Sequence, residues 1–239
     1  MILIPARLQS TRFPQKILAP IHGIPMVIAT AKRVQEVDRV AIATDAPEVV
    51  ALAKRHGFEA VLTCDTHQSG TDRINEAANA LGLGAEEIIL NVQGDEPFIE
   101  PENVAALFQK VRDLSHLPWA MASCFKAITP EEATDPNLVK VVLNHADQAL
   151  YFSRSPIPYD RDKTGVPYWG HLGLYGFTRA TLSAFCALPS APLEHTEKLE
   201  QLRALYHGHA IHMVKVASQS FGIDTAEDLE RALKLFPSK

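Results

Sequence analysis

The residues best suited to chemistry lie in polar segments: PARLQSTRFPQK, THQSGTDR and NVQGDEP in the first half of the chain, and FGIDTAEDL near its far end. The first places Arg7, Arg12 and Lys16 beside the hydroxyls of Ser10 and Thr11, with no acidic residue among them. Such donors, with the backbone N–H groups of a loop, suit a polyphosphate. Isolated surface cations are usually just solvated. Pro5 and Pro14 shift the balance towards a ligand, because a stiffened loop loses less entropy on binding. In the second segment Ser69 or Thr71 can cap a helix starting at Asp72, while Gly70 admits a ligand to the backbone and Arg73 can face the same crevice; the two roles are compatible. Asp95 follows an apolar run and suits either a turn or a magnesium ion held mainly by water and phosphate. Asp224 stands before a helix, where capping is the ordinary role and Glu227 and Asp228 favour the helix dipole. Sequence distance does not say whether Asp95 and Asp224 meet.

The elements that must position these residues follow a rhythm. Met1 to Ile4, Val40 to Thr44, Ala60 to Leu62 and Ile88 to Val92 are short apolar runs typical of buried strands. Between and after them, Met26 to Val37, Pro47 to His56, Asp72 to Leu81 and Pro101 to Leu114 have helical spacing. The alternation predicts a mostly parallel sheet with helices on both faces. In such sheets ligands gather beyond the carboxyl ends of the strands, where three of the polar segments fall. From about Ala120, MASCF, VKVVL, ALYFS and HLGLYGF read as strands of an antiparallel excursion ending near Arg179. Helices are expected again at Arg179 to Ala187, Thr196 to Tyr206 and from Ala226, with a strand near Ile211 to Val216. Alternation puts His171, Gly173 and Tyr175 on one strand face, ordinarily the solvent face. EHTEKLEQLRAL reads as one amphipathic helix with Glu197, Glu200 and Gln201 on its wet side.

With 239 residues, 46% of them hydrophobic and 21% charged, and a net charge of −5, the composition is that of a globular protein. The balance argues against nucleic-acid binding, and no apolar run is long enough for a membrane span. A leader is not apparent, which makes the cytoplasm the expected location. Cys64, Cys124 and Cys186 are widely spaced, so neither a disulfide framework nor a zinc site is expected. The opening loop has neither the GxxxxGK[ST] nor the GxGxxG pattern.

Taken in order, PARLQSTRFPQK, SGTDR, NVQGDEP, LYFSRSPIP, HLGLYGF, LEQLRAL and GIDTAEDL resemble the 3-deoxy-manno-octulosonate cytidylyltransferase family, the CMP-Kdo synthetases, over nearly the whole chain. The resemblance implies a Rossmann-like nucleotidyltransferase core with a dimerisation excursion. It further implies magnesium as cofactor, a homodimer, and transfer of CMP from CTP to the anomeric hydroxyl of the sugar acid Kdo for lipopolysaccharide synthesis. The expected organisation is one domain, 1–239, with about 120–179 as an inserted dimerisation and sugar-binding lobe.

By the same resemblance, Arg7, Arg12 and Lys16 would hold the triphosphate, with Arg7, Lys16, Asp95 and Asp224 as the catalytic set. Pro5, Ala6, Ser69, Gly70, Thr71 and Gln93 would shape the nucleotide side. Asp95 and Asp224 match the metal ligands. Arg73, Arg154, His171, Tyr175, Glu200 and Gln201 lie on motifs of the sugar-acid pocket. Asp72 stands where many members have Glu, and Gly170 where a basic residue is common, which bears on Kdo against its 8-amino relative, 8-amino-3,8-dideoxy-octulosonate. CMP-sialic acid synthetase and a catalytically silent nucleotide-sugar binding module are the rival readings. Both Asp95 and Asp224 are retained, which argues against the silent module.

Overall fold

A computed structural model describes residues 1–10 and 12–238. In chain order the strands are β1 (Ile2–Ala6), β2 (Pro20–Ile21), β3 (Ile24–Pro25), β4 (Val40–Thr44), β5 (Glu59–Leu62), β6 (Ile88–Asn91), β7 (Met121–Ile128), β8 (Lys140–Leu143), β9 (Ala149–Ser153), β10 (Tyr168–Thr178) and β11 (His212–Lys215). The helices are α1 (Met26–Val34), α2 (Pro47–Arg55), α3 (Gly70–Ala80), α4 (Pro101–Leu114), α5 (Pro130–Ala133), α6 (Arg179–Ala187), α7 (Pro192–Glu197), α8 (Leu202–Tyr206) and α9 (Ala226–Leu235).

The central sheet runs β11-β7-β10-β6-β1-β4-β5. Strands β6, β1, β4 and β5 are parallel, as are β7 and β11, while β10 is antiparallel to both of its long neighbours. Successive residues of β1 enter opposite layers: Ile2 and Ile4 pack with α1, α2 and α4 residues such as Val27, Val49 and Leu107, whereas Leu3 packs with Ile74, Ala77 and Phe185 of α3 and α6. A strand buried on both faces needs an apolar residue at every position, which explains its unbroken apolar start.

Of the expected 120–179 excursion, β7 and β10 are strands of the central sheet itself; β8 and β9 pair beside β10, and 154–167 connects back. The helix expected over Thr196 to Tyr206 is two helices. Lys198 adopts a left-handed conformation, φ 54°, which ends α7 and turns the chain before α8. Nothing in the side-chain pattern announces a left-handed lysine, so the amphipathic period reads straight across the break. The turn also corrects the wet-side reading: Glu197 accepts Ser153 Oγ at 2.6 Å and the Arg154 amide at 3.0 Å, and Gln201 is buried.

Candidate active site

The carboxyl ends of β1 and β6 and the start of α3 enclose a cavity of about 310 Å³. Its wall includes Pro5, Ala6, Arg7, Arg12, Lys16, Ser69, Gly70, Arg73, Gln93, Asp95 and Asp224. Ser10 also lines it; Thr11 lies outside the described residues. Gly94 is required by close approach, since a Cβ there would stand 3.0 Å from the carbonyl oxygen of Pro5. Ser69 caps α3 through the amide of Asp72 at 3.0 Å and also faces the cavity, so capping and lining coincide.

Asp95 and Asp224, 129 positions apart in the chain, converge on one ammonium. Lys16 Nζ donates to Asp95 Oδ2 at 2.5 Å and to Asp224 Oδ1 at 2.7 Å, and Arg12 reaches Asp224 Oδ2 at 2.9 Å. Burial alone would lower the Lys16 pKa, but the two carboxylates reverse this and hold it above its ordinary value. Burial likewise opposes the Asp224 charge, and Lys16 and Arg12 outweigh it, leaving that carboxyl below its ordinary range.

Arg12, Asp95 and Asp224 also line a second cavity of about 850 Å³, so the carboxylate pair stands on the boundary between the two. His171, Tyr175 and Gln201 line this second space. His171 and Tyr175 reach it through an irregularity in β10. The β10 pairing with β7 shifts between Leu172 and Tyr175, and inserting two residues keeps His171 and Tyr175 on one face. That face is covered rather than solvated: His171 is buried, Phe152 packs edge-on against its ring, and Tyr175 lies against it. Ser123 Oγ has a single proton, which Leu174 O at 2.8 Å accepts; the same oxygen therefore accepts from His171 Nε2–H at 2.8 Å, and Nδ1 is left as an acceptor. Burial pushes the imidazole pKa down to about 3 and raises that of the Tyr175 phenol, with the charge of Glu200 adding to the second shift. Gln201 Nε2 is buried without a partner, an amide donor left to a ligand.

Other expected residues stand elsewhere. Thr71 is buried behind the nucleotide wall and donates to Glu200 Oε2 at 2.7 Å; neither lines a cavity. Burial raises the Glu200 pKa despite that bond. Arg73 lines the first cavity instead of the second, with its guanidinium on Asp45 at 2.8 Å and Thr63 at 2.7 Å. Arg154 lines neither: its guanidinium binds the carbonyls of Glu197 at 2.8 Å and Pro136 at 2.9 Å. Gly170 has no room for the basic side chain common in the family, because a Cβ would meet Ile128 Cγ2 at 2.7 Å.

Sequence reasoning passed over His67 and Gln68 in the first cavity and Glu96, Lys126 and Arg231 in the second. His67 pairs with Glu76, nine residues on and about two helical turns into α3 beyond the cap; that spacing was the available signal. Glu96 stands on the floor of the second cavity, where burial first, then the charges of Asp95 and Glu100, push its pKa up to about 8.

A cytidylyltransferase family model matches residues 1–213. A 3-deoxy-manno-octulosonate cytidylyltransferase from Wolinella succinogenes is 60% identical, with 99% of each chain covered. The chain belongs to the 3-deoxy-manno-octulosonate cytidylyltransferase family. A second member, from Nitratiruptor sp., is 57% identical with 97% of each chain covered. A solved CMP:2-keto-3-deoxy-manno-octonic acid synthetase complexed with CTP superposes with a TM-score of 0.92 at 40% identity, covering 98% of this chain and 96% of that one. A putative glucose-1-phosphate thymidylyltransferase from Bacillus anthracis, 14% identical with a TM-score of 0.63 over 98% of this chain and 94% of that one, shares the fold. The cytidylyltransferase family thus keeps a sheet architecture that a more distant nucleotidyltransferase also uses.

Proposed function

We infer that this chain transfers CMP from CTP to the anomeric hydroxyl of Kdo, giving CMP-Kdo and diphosphate. The observation that carries the reading is the meeting of Asp95 and Asp224 where a cationic cavity joins a second, larger one whose lining includes His171, Tyr175 and Gln201 beside charged groups of both signs. The hydroxyl oxygen, giving up its proton to water, forms a bond to the α-phosphorus while the bond from that phosphorus to the bridging oxygen breaks, and diphosphate leaves with the electron pair. Two anions must approach for this to happen. Arg7, Arg12 and Lys16 offset their repulsion and favour the charge that develops on the leaving group. In the second cavity the Gln201 amide donates to the sugar acid, and His171 Nδ1 accepts from one of its hydroxyls.

The donors fit magnesium. The gap between the two carboxylates already admits one positive charge, that of Lys16. Among the described residues no group of three or more His, Cys, Asp or Glu could hold a metal, so the protein offers two oxygen-bearing side chains and leaves the other positions to phosphate and water, as magnesium prefers. When bound, the ion neutralises phosphate charge as a Lewis acid.

The enzyme is read as a cytoplasmic homodimer. Among the described residues no helix is long and apolar enough to cross a membrane. Leu150 on β9 and Tyr159 beyond it are 59% and 86% exposed, which supports a second copy on that side. Diphosphate release with CTP, magnesium and Kdo tests the reading. Faster release with 8-amino Kdo or sialic acid would reassign the substrate, and none with any sugar acid would favour a silent binding module.

A further inference from the structure

Asp224 is delivered by the segment between β11 and α9, which has no regular structure of its own and yet is densely held. Glu100 Oε1 accepts the amides of Gln219 at 2.9 Å and Ser220 at 3.2 Å, while Oε2 accepts the hydroxyls of Ser218 at 2.8 Å and Ser220 at 3.2 Å. From the other side Lys126 Nζ donates to the carbonyls of Ser218 at 3.1 Å and Ser220 at 3.5 Å. Two opposite charges thus grip one short stretch, Glu100 the donors of Ser218, Gln219 and Ser220 and Lys126 the carbonyls of Ser218 and Ser220. The Glu100 carboxyl stays below its ordinary pKa because these donors outweigh the effect of its burial.

Glu100 is five residues beyond Asp95, and Ile223 N donates to the Asp95 carbonyl at 2.9 Å. One short stretch, 95–100, therefore carries the first carboxylate and fixes the backbone that brings the second. We propose that Glu100 and Lys126 are positioning residues that set the Asp95 to Asp224 spacing and hence the affinity for the nucleotide-bound divalent cation. The proposal rests on Asp95 and Asp224 holding that cation. Supporting groups of this kind, when lost, typically cost about 10–100-fold in metal affinity.

The test uses Glu100→Gln and Lys126→Met, with Lys126→Arg as the conservative variant and Asp224→Asn as the control. Binding of Mn²⁺ in the presence of CTP, without sugar acid, is followed by water-proton relaxation. Hydrogen exchange of the Gln219 and Ser220 amides is followed without metal or nucleotide. The expected result is lost amide protection and roughly tenfold weaker Mn²⁺ binding in Glu100→Gln and Lys126→Met, with recovery in Lys126→Arg. Unchanged Mn²⁺ binding in both variants, against clear weakening in Asp224→Asn, would overturn the inference and leave the metal assignment standing. If Asp224→Asn also binds Mn²⁺ normally, the metal assignment fails and the positioning role fails with it. Should Glu100→Gln not fold, Lys126→Met decides.

Discussion

The two cavities share Arg12, Asp95 and Asp224 but position the rest of their polar groups by different means. The first is ionic: Lys16, Arg12, Asp95 and Asp224 answer one another's charges on loops that follow parallel strands. The second holds His171 neutral, leaves Gln201 Nε2 unpartnered, and depends on a bulged antiparallel strand and a broken helix. Charge can be concentrated by short loops at a sheet edge, whereas selecting a polyhydroxylated substrate needs directional groups fixed by burial. The anionic chemistry and the substrate choice are therefore separable by mutation.

The largest effect should come from the shared boundary. Asp95→Ala is expected to keep the fold and lower turnover by roughly a thousandfold, since the proposed function makes Asp95 a metal ligand. Steady-state diphosphate release at saturating magnesium checks this, and near-parental turnover would remove Asp95 from the catalytic set. Lys16→Ala should weaken CTP binding by roughly ten- to a hundredfold and CMP far less, because its ammonium serves the distal phosphates; calorimetric titration of both nucleotides compares them. In the second cavity, Gln201→Leu should raise the KM for the sugar acid about tenfold and leave CTP affinity alone. A change in both would mean that the cavities are not independent.

A pH-dependent effect on stability concerns His171. Its ring stays neutral when folded down to about pH 3, while an unfolded chain takes up the proton below 6.5. Its contribution to stability is complete above pH 6.5 and falls as pH drops towards 3, by about 1.4 kcal/mol per unit. His171→Gln should remove that component from the acid slope in urea unfolding, with no change in slope between pH 7 and 9. The ionic side behaves differently. Asp224, with its lowered pKa, loses its contribution only as pH falls below the ordinary value of 3.8, and Lys16, with its raised pKa, only as pH rises past 10.5.

What was legible in the residues follows the same division. Val40 to Thr44 and Pro101 to Leu114 match β4 and α4 because period and burial alone dictate them. The ionic cavity was legible because short loops after parallel strands must meet at one edge. Lys198 was not, since only its backbone conformation breaks the helix; nor was the Arg154 guanidinium, whose partners are carbonyl oxygens that every residue carries. Glu100 and Lys126 were equally silent, because each acts on backbone groups more than ninety positions away.

Lys16 has a consequence for the order of events. A bare divalent cation approaching Asp95 and Asp224 must displace the Lys16 ammonium from both carboxylates. A cation arriving on a nucleotide brings phosphates that receive the displaced ammonium in the same step. On the proposed assignment of Asp95 and Asp224, metal and CTP would enter as one unit, by an exchange of partners that leaves no charge stranded.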